Sequence, residues 1–281
     1  MSGQKATFGQ GLGGAFGKWG SLLLGIARGF ASKTLKGRAV MSVILQTEIP
    51  YDVTVEKSLP GVAPLGEASW LHLDEAYAAQ LARKAELLAE RRADVVALDA
   101  GALPAAQELL RMVVRELVER HGFSGLGDSV ARPDGRAVAL DFEDPLGTLA
   151  QLVQEDFCIL QKQGDEHVLT GALLCFPASW TLAEKFMRPL VRIHKPVESY
   201  DANIAKRVQR LFDGVRVGRP VWRFNALHYA DAELFHPRTE DAPREDDYEV
   251  QRFLRSEKQV ILRLPETDAV VFAIHTFVVK A

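Results

Sequence analysis

Cysteine is scarce in this 281-residue sequence, and long hydrophobic runs are missing from it. The two cysteines, Cys158 and Cys175, cannot build a disulfide framework, and neither belongs to a CxxC, a zinc-type spacing or a CxxCH haem-attachment pattern. The longest apolar run in residues 1–40, LLLGIA, is far too short to span a bilayer. These absences favour a globular protein of a reducing compartment, and we expect a cytoplasmic location with no transmembrane segment.

Several well-known functional motifs are missing as well. The sequence contains no P-loop, no GxSxG, no HExxH and no EF-hand. The segment GQGLGG at residues 9–14 satisfies GxGxxG, but only eight residues precede it, so no strand and no βαβ unit can frame it. We therefore expect neither a flavin nor a nicotinamide site. A formal net charge of −3 also gives no electrostatic case for nucleic acid as a partner.

Residues 1–40 differ sharply from the rest of the chain. They hold six basic residues, no acidic residue and ten of the 22 glycines, which leaves 28 basic against 37 acidic residues in 41–281, a formal charge of −9. We expect a flexible basic extension, with a weak amphipathic helix suited to a membrane surface or a docking partner. Organelle targeting in a eukaryote, and a true start at Met41 instead of Met1, are the alternatives.

Hydrophobic periodicity predicts an α+β fold for residues 41–281, as one domain. Helices are predicted over 75–92, with Asp74 as the cap, and from Pro104 to Gly122, which gives a helical layer over 74–122. From about residue 136 the period changes to two, and short helices over about 181–187 and 201–213 interrupt the strand-like runs. The strand-like runs are AVALDF, DFCILQK, HVLTGALLCF, PVWRFNALHY, RFLRSEKQVILRL and AVVFAIHTFVV. Consecutive strands with few crossovers predict an antiparallel sheet packed by helices.

The alternation of side-chain direction along the predicted strands identifies the first candidate site residues. In VWRFNALHY, Arg223 and Asn225 point the same way, either into a pocket that orients a polar ligand or into solvent. His275 shares a face with apolar neighbours and is either a satisfied core histidine or a pocket group. For the acidic residues 141–144 the better interpretation is a solvated turn, and for Glu155 and Asp156 a turn before a strand.

Five collinear segments resemble the haem-dependent oxidative N-demethylase family. They run in order from about Leu152 to Val279, and the region from Pro60 to Gly122 is compatible with the family. The segments are LVQEDFCIL, TGALLCFPASWTLAEKFMRPLVRIHKPVESY, RLFDGVRVGRPVWRFN, AELF and FLRSEKQVILRLPETDAVVFAIHTFV. The resemblance implies a PAS-like α+β core over about 136–281 that binds haem b without a covalent bond. It also implies O₂, a small secondary amine such as dimethylamine, a separate electron-donating reductase and the release of formaldehyde.

The resemblance also nominates site residues. His194 lies in the family's IHxPV stretch and is implied as the axial ligand of the iron, which is the only metal role expected here. Glu198 is a candidate partner for the other ring nitrogen of that histidine. Tyr200, Arg223 and Asn225 are candidates for substrate orientation or propionate binding, and Arg188 for a propionate. His275 is a further cofactor-side candidate, and either His275 or His228 would close the sixth iron position in a protein without turnover.

Three positions depart from the family's pattern as we know it. Ala226 stands where a tryptophan is expected, and His275 and Phe277 stand where RTY is expected. These changes keep two alternatives to a monooxygenase open. One is a non-catalytic haem-binding PAS-like sensor or carrier, and the other is a haem-free interaction protein that kept only the fold.

Overall fold

Period-two alternation in the second half of the chain produces an antiparallel sheet. The computed structural model describes residues 43–55, 61–193, 202–242 and 251–281. The long strands are β6 (Asp156–Gln163), β7 (Glu166–Leu173), β8 (Val221–Tyr229), β9 (Phe253–Arg263) and β10 (Val270–Lys280). Two short strands, β1 (Ala63–Pro64) and β2 (Val96–Leu98), extend the edges, so the order among the described residues is β1-β8-β9-β10-β6-β7-β2.

The connections explain this order. β6 and β7 form a hairpin across the predicted turn QGDE, where Gly164 takes a φ of 61° that favours glycine. Between β7 and β8 the chain forms α4 (Leu182–Lys185), α5 (Leu190–Ile193) and α6 (Ala202–Gly214), and β8, β9 and β10 then pair consecutively. An antiparallel sheet with packed helices is the α+β class that the periodicity predicted, and that prediction is confirmed.

The first half of the chain supplies a helical layer. Its helices are α1 (Tyr77–Val95), α2 (Leu103–Arg120) and α3 (Pro145–Leu152). Pro104 lies in the first turn of α2 as predicted, whereas α1 begins at Tyr77 and ends at Val95, later than expected at both ends. Between α2 and α3 lies a small sheet of β3 (Ser124–Gly125), β4 (Ser129–Ala131) and β5 (Ala137–Ala139), so AVALDF is only partly a strand.

Helix α3 adds an element that the sequence analysis did not predict. Residues 141–144 form the expected turn with exposed or half-buried side chains, and Asp144 at its end caps the buried helix, because its carboxylate accepts the Gly147 N–H at 3.1 Å. A proline in the first turn and an aspartate cap before an apolar run are ordinary helix-start signals. The helix is short enough that the strand-like runs on either side obscured it.

The long sheet has two differently packed faces. The outer face carries Phe157, Val260 and Val271, which belong to one apolar cluster with buried residues of α1, α2 and α3. The inner face carries Leu160, Ile261 and Val270, which belong to a second apolar cluster with Leu182 of α4, Leu190 of α5 and Phe212 of α6. Because successive side chains of a strand alternate, neighbouring residues of β8, β9 and β10 belong to different faces.

Some sequence predictions fall outside the described residues. The basic extension over residues 1–40 is among them, and so are His194, Glu198 and Tyr200. Within the described ranges, no helix combines the length and hydropathy that crossing a bilayer requires.

Candidate functional site

Four polar side chains gather on the inner face of β8 and β9. Arg223 is the register partner of Gln259, and Asn225 is the register partner of Glu257. Asn225 Nδ2 and Gln259 Nε2 each donate to Glu257 Oε2 at 3.0 Å, and Asn225 Oδ1 accepts the backbone N–H of Glu257 at 3.1 Å. Alternation had predicted that Arg223 and Asn225 share a face, and the register confirms it.

Two atoms of this inner polar group are buried without a hydrogen bond in the described chain. They are Arg223 Nε and Gln259 Oε1. Burial also lowers the pKa of the Arg223 guanidinium, against the opposing influence of Glu257. A buried polar atom without a partner costs about 1–3 kcal/mol. A ligand that brings a carboxylate to Arg223 would remove part of this cost, since carboxylates pair well with guanidinium groups.

The surroundings of the inner polar group are apolar. Val221 at the start of β8 and Phe272 of β10 pack against the inner cluster. Helix α6 contributes Val208, Leu211 and Phe212 to the same cluster. A few polar groups within an apolar surface are the usual composition of a small-molecule or cofactor site.

Arg188 does not join this group. Its carbonyl accepts the N–H of Leu169 on β7, and β7 lies four strands from β8 in the sheet order. At a strand spacing of about 4.8 Å, the separation is roughly 19 Å. The Arg188 residue itself is exposed.

His275 lies on the outer face and is therefore separated from Arg223 and Asn225 by the sheet. Only 1% of the residue is exposed. Its Nδ1 lies 3.2 Å from Glu155 Oε1, and its Nε2 lies 3.0 Å from Asp74 Oδ2. Burial alone would lower the pKa of His275, but the hydrogen bonds to the two carboxylates raise it above the ordinary value. Ionised carboxylates only accept hydrogen bonds, so this arrangement favours the imidazolium form, in which both ring nitrogens donate.

Sequence reasoning missed the acidic partners of His275. Asp74 was predicted as a helix cap, but Gln154 Nε2 donates to its Oδ1 at 2.7 Å. Burial would raise the pKa of Asp74, yet hydrogen bonds from His275, Gln154 and Gln46 bring it down to about 2. Glu155 was predicted in a turn, and it is 1% exposed with its pKa lowered by His275 despite burial.

Asp156 is likewise buried, and it is the first residue of β6. It forms an ion pair with Lys84 of α1, whose Nζ lies 2.9 Å from Asp156 Oδ1 in a site where both side chains are almost fully buried. Lys84 Nζ also donates to the carbonyl of Glu155 at 2.5 Å. Two adjacent acids directly before the apolar run FCIL were the only signal in the sequence.

His167 on β7 is a second buried histidine that sequence reasoning did not select. Its ring packs on Phe212 at a centroid distance of 5.5 Å, and its Nδ1 accepts from Gln209 Nε2 at 2.8 Å. Its Nε2 is buried without a hydrogen bond in the described chain. His167 lies on the inner side but four strands from Arg223, so it is not part of the inner polar group.

The topology defines an α+β domain with a polar group on the inner face of its sheet. A family model described as haem-dependent oxidative N-demethylase, alpha subunit-like, matches residues 61–281. The chain belongs to this family. The match includes every helix and strand described above from β1 onward. The family resemblance inferred from the sequence is therefore confirmed.

The three departures from the expected family pattern share one location. Ala226 and Phe277 both align with Ser256, and His275 aligns with Lys258. All three departures lie on the outer face, on the side opposite Arg223 and Asn225. They therefore leave the inner polar group unchanged.

The described residues fit a haem on two of three requirements. Apolar side chains of the inner cluster can pack on a porphyrin, and Arg223, with its unpaired Nε, can pair with a propionate. The third requirement is an axial ligand. The nominated residue, His194, directly follows Ile193 at the end of α5, and it lies outside the described residues.

Proposed function

We propose that this chain is a haem-binding subunit that oxidatively demethylates a small secondary amine on the inner face of its sheet. The observation that carries the proposal is the unpaired Arg223 Nε beside the Asn225–Glu257–Gln259 group, on an apolar face of a chain in this family. The strand order β7-β6-β10-β9-β8 with helices inserted after β7 supports the PAS-like part of the proposal. One domain over residues 41–281 is part of the same proposal.

The nominated residues other than Arg188 and His275, which lie away from the inner polar group, receive these roles. His194 would hold the iron of a non-covalent haem b. Glu198 would accept a hydrogen bond from the ring N–H of that imidazole. Arg223 would bind a propionate, and Tyr200 would assist in orientation. Bound haem supplies the activation of O₂, with electrons from a separate reductase. The family description as alpha subunit-like supports a partner of this kind.

The inner polar group would prepare the substrate. Oxidation at an N-methyl group requires the neutral amine, and burial on an apolar face disfavours the ammonium form. Glu257 Oε1 lies 3.7 Å from Arg255 Nη2, and its other oxygen accepts from Asn225 and Gln259. We assign Glu257 Oε1 to accept the ammonium proton, and Asn225 to hold that carboxylate in position.

Haem binding is tested by the absorption spectrum of the purified chain with added haem. We expect a Soret band in the wild type and its loss or shift in His194→Ala. His236→Gln is the matched control, because His236 pairs with Asp231 at 2.9 Å and has no hydrogen bond to the inner polar group in the described chain. A wild-type chain that takes up no haem would overturn the proposal.

Turnover is tested with the haem-loaded chain, a supplied electron donor, O₂ and dimethylamine, with formaldehyde as the product measured. Glu257→Gln should lower the rate and shift its pH dependence, while Asn225→Asp should change the rate less. A haem spectrum that responds to gases but never to amines would instead indicate the sensor or carrier. The positions of Ala226, His275 and Phe277 on the outer face give that alternative no support.

A further inference from the structure

We infer that His72, Asp74 and His275 form a binding site for a first-row transition-metal dication, such as Zn²⁺, on the outer face of the sheet. One ligand atom from each of the three side chains can be chosen so that all three lie within 4.8 Å of one another. The inference is independent of the haem proposal, because the site lies on the opposite side of the sheet from Arg223.

The spacing of the ligand atoms suits a metal ion. His275 Nε2 and Asp74 Oδ2 are 3.0 Å apart. Ligands at about 2.1 Å from one ion, separated by angles of 90–110°, lie about 3.0–3.4 Å from each other. The His72 ring meets the His275 ring edge to face at a centroid distance of 4.8 Å, so its nitrogens are close to the same point. In the metal-free molecule the proton on His275 Nε2 lies between that nitrogen and Asp74 Oδ2. A metal ion that binds Nε2 would displace this proton.

The residues around the three ligands hold them in place. Glu155 Oε1 accepts His275 Nδ1–H at 3.2 Å, which is the carboxylate–histidine arrangement that orients metal-bound imidazoles. The same oxygen accepts the backbone N–H of His72 at 2.7 Å, and so it positions two ligands at once. Asp74 is held by Gln154, by Gln46 Nε2 at 3.0 Å and by the N–H of Ala76 at 2.9 Å.

A second observation points to a missing partner. Glu155 Oε2 makes no hydrogen bond in the described chain, and the side chain is almost fully buried. This oxygen can accept a hydrogen bond from a water bound to the ion. The two carboxylates would offset the charge of a dication, with Lys258 adding one positive charge on the same face.

The chemistry of the ligands selects the class of ion. Two imidazoles with one or two carboxylates suit Zn²⁺ and Fe²⁺, whereas Mg²⁺ and Ca²⁺ prefer oxygen alone. A bound ion would connect the segment 72–74 to β10, and Glu155 would extend that connection to the start of β6. His72 is only half-buried, so the ion has a path from solvent.

The test measures zinc binding by the full chain after removal of metals with a chelator. Calorimetry and elemental analysis should give one Zn²⁺ per chain in the wild type and in His236→Gln, a matched variant of another histidine–carboxylate pair. His72→Gln should lose this zinc, and Glu155→Gln should weaken its binding about 10–100-fold. Zinc should also raise the melting temperature of the wild type but not of His72→Gln.

His72→Gln is the informative variant because it breaks no side-chain hydrogen bond described for that ring, and circular dichroism checks that it folds. The haem-loaded chain should bind zinc equally well. No stoichiometric zinc in the wild type, or equal affinity in the wild type and His72→Gln, would overturn the inference. The His275 cluster would then be only a hydrogen-bonded imidazolium between two carboxylates.

Discussion

The two faces of one sheet treat polar side chains differently. On the outer face, both nitrogens of His275 are paired with carboxylates, although Glu155 Oε2 of the same cluster is buried without a hydrogen bond in the described chain. On the inner face, Arg223 Nε and His167 Nε2 are buried without hydrogen bonds in the described chain. Paired buried charges tie segments together, whereas unpaired buried groups leave interactions available to a ligand. The comparison assigns stability mainly to the outer face and ligand binding mainly to the inner face.

The largest expected effect is the loss of the buried ion pair. Asp156→Asn leaves the Lys84 ammonium buried without its counter-charge, which should reduce the free energy of unfolding by about 3–5 kcal/mol. Urea unfolding of the metal-free chain measures it. The matched control is Arg92→Gln, which removes an exposed pair with Asp144 and should cost at most about 1 kcal/mol. Equal losses in the two variants would contradict the proposed importance of burial.

The second prediction sets the two buried histidines against each other. His275→Leu leaves two buried carboxylates without their shared donor and should cost about 2–3 kcal/mol. His167→Leu removes a nitrogen that has no partner, breaks one hydrogen bond to Gln209 and keeps an apolar side chain against Phe212, so its cost should be clearly smaller. Both are measured by urea unfolding without metal or haem. A larger loss for His167→Leu would reverse the comparison between the faces.

The pH dependence should also separate the two histidines. The pKa of His275 is raised by its carboxylates against burial, so its stabilisation is full below about pH 6.5 and disappears as pH rises through the folded-state pKa. Burial lowers the pKa of His167, so stability falls as pH drops below about 6.5 towards the folded-state value. His275→Leu should flatten the alkaline side of the stability profile, and His167→Leu the acidic side. An unchanged profile for His275→Leu would show that His275 is not a cation.

The smallest expected effect on stability belongs to Arg223. Arg223→Met removes a buried Nε without a hydrogen bond but also removes packing by the arginine, and these opposing effects should leave the free energy of unfolding of the haem-free chain within about 1 kcal/mol of the wild-type value. Haem affinity should nevertheless fall, because a propionate would lose its cation. Haem titration followed by absorption measures this, with Arg188→Met as the control, since Arg188 is exposed and lies beside β7, four strands from β8. A parallel loss in both variants would argue against a specific role for Arg223.

The sequence predicted local patterns well and long-range partners poorly. Alternation correctly placed Arg223 with Asn225 and placed His275 with apolar neighbours. It could not show that these two sets face opposite ways, because that depends on the register between β8, β9 and β10. Likewise, Asp74 and His275 are 201 residues apart, and nothing local to either residue encodes their contact. The family resemblance could be identified because its motifs lie in order along the primary sequence and can be recognised without any knowledge of long-range contacts.

Neighbouring residues of β10 can be substituted independently, because their side chains lie on opposite faces of the sheet. His275 faces the outer layer, while Thr276 aligns with Glu257 on the inner face. A substitution at one of these positions leaves the side chains of the opposite face in place, as the outer location of Ala226, His275 and Phe277 illustrates. A lineage carrying this fold can therefore exchange an arginine for a histidine on the outer face, and with it gain one ligand of the proposed metal site, without disturbing the side chains on the other face of the same strand.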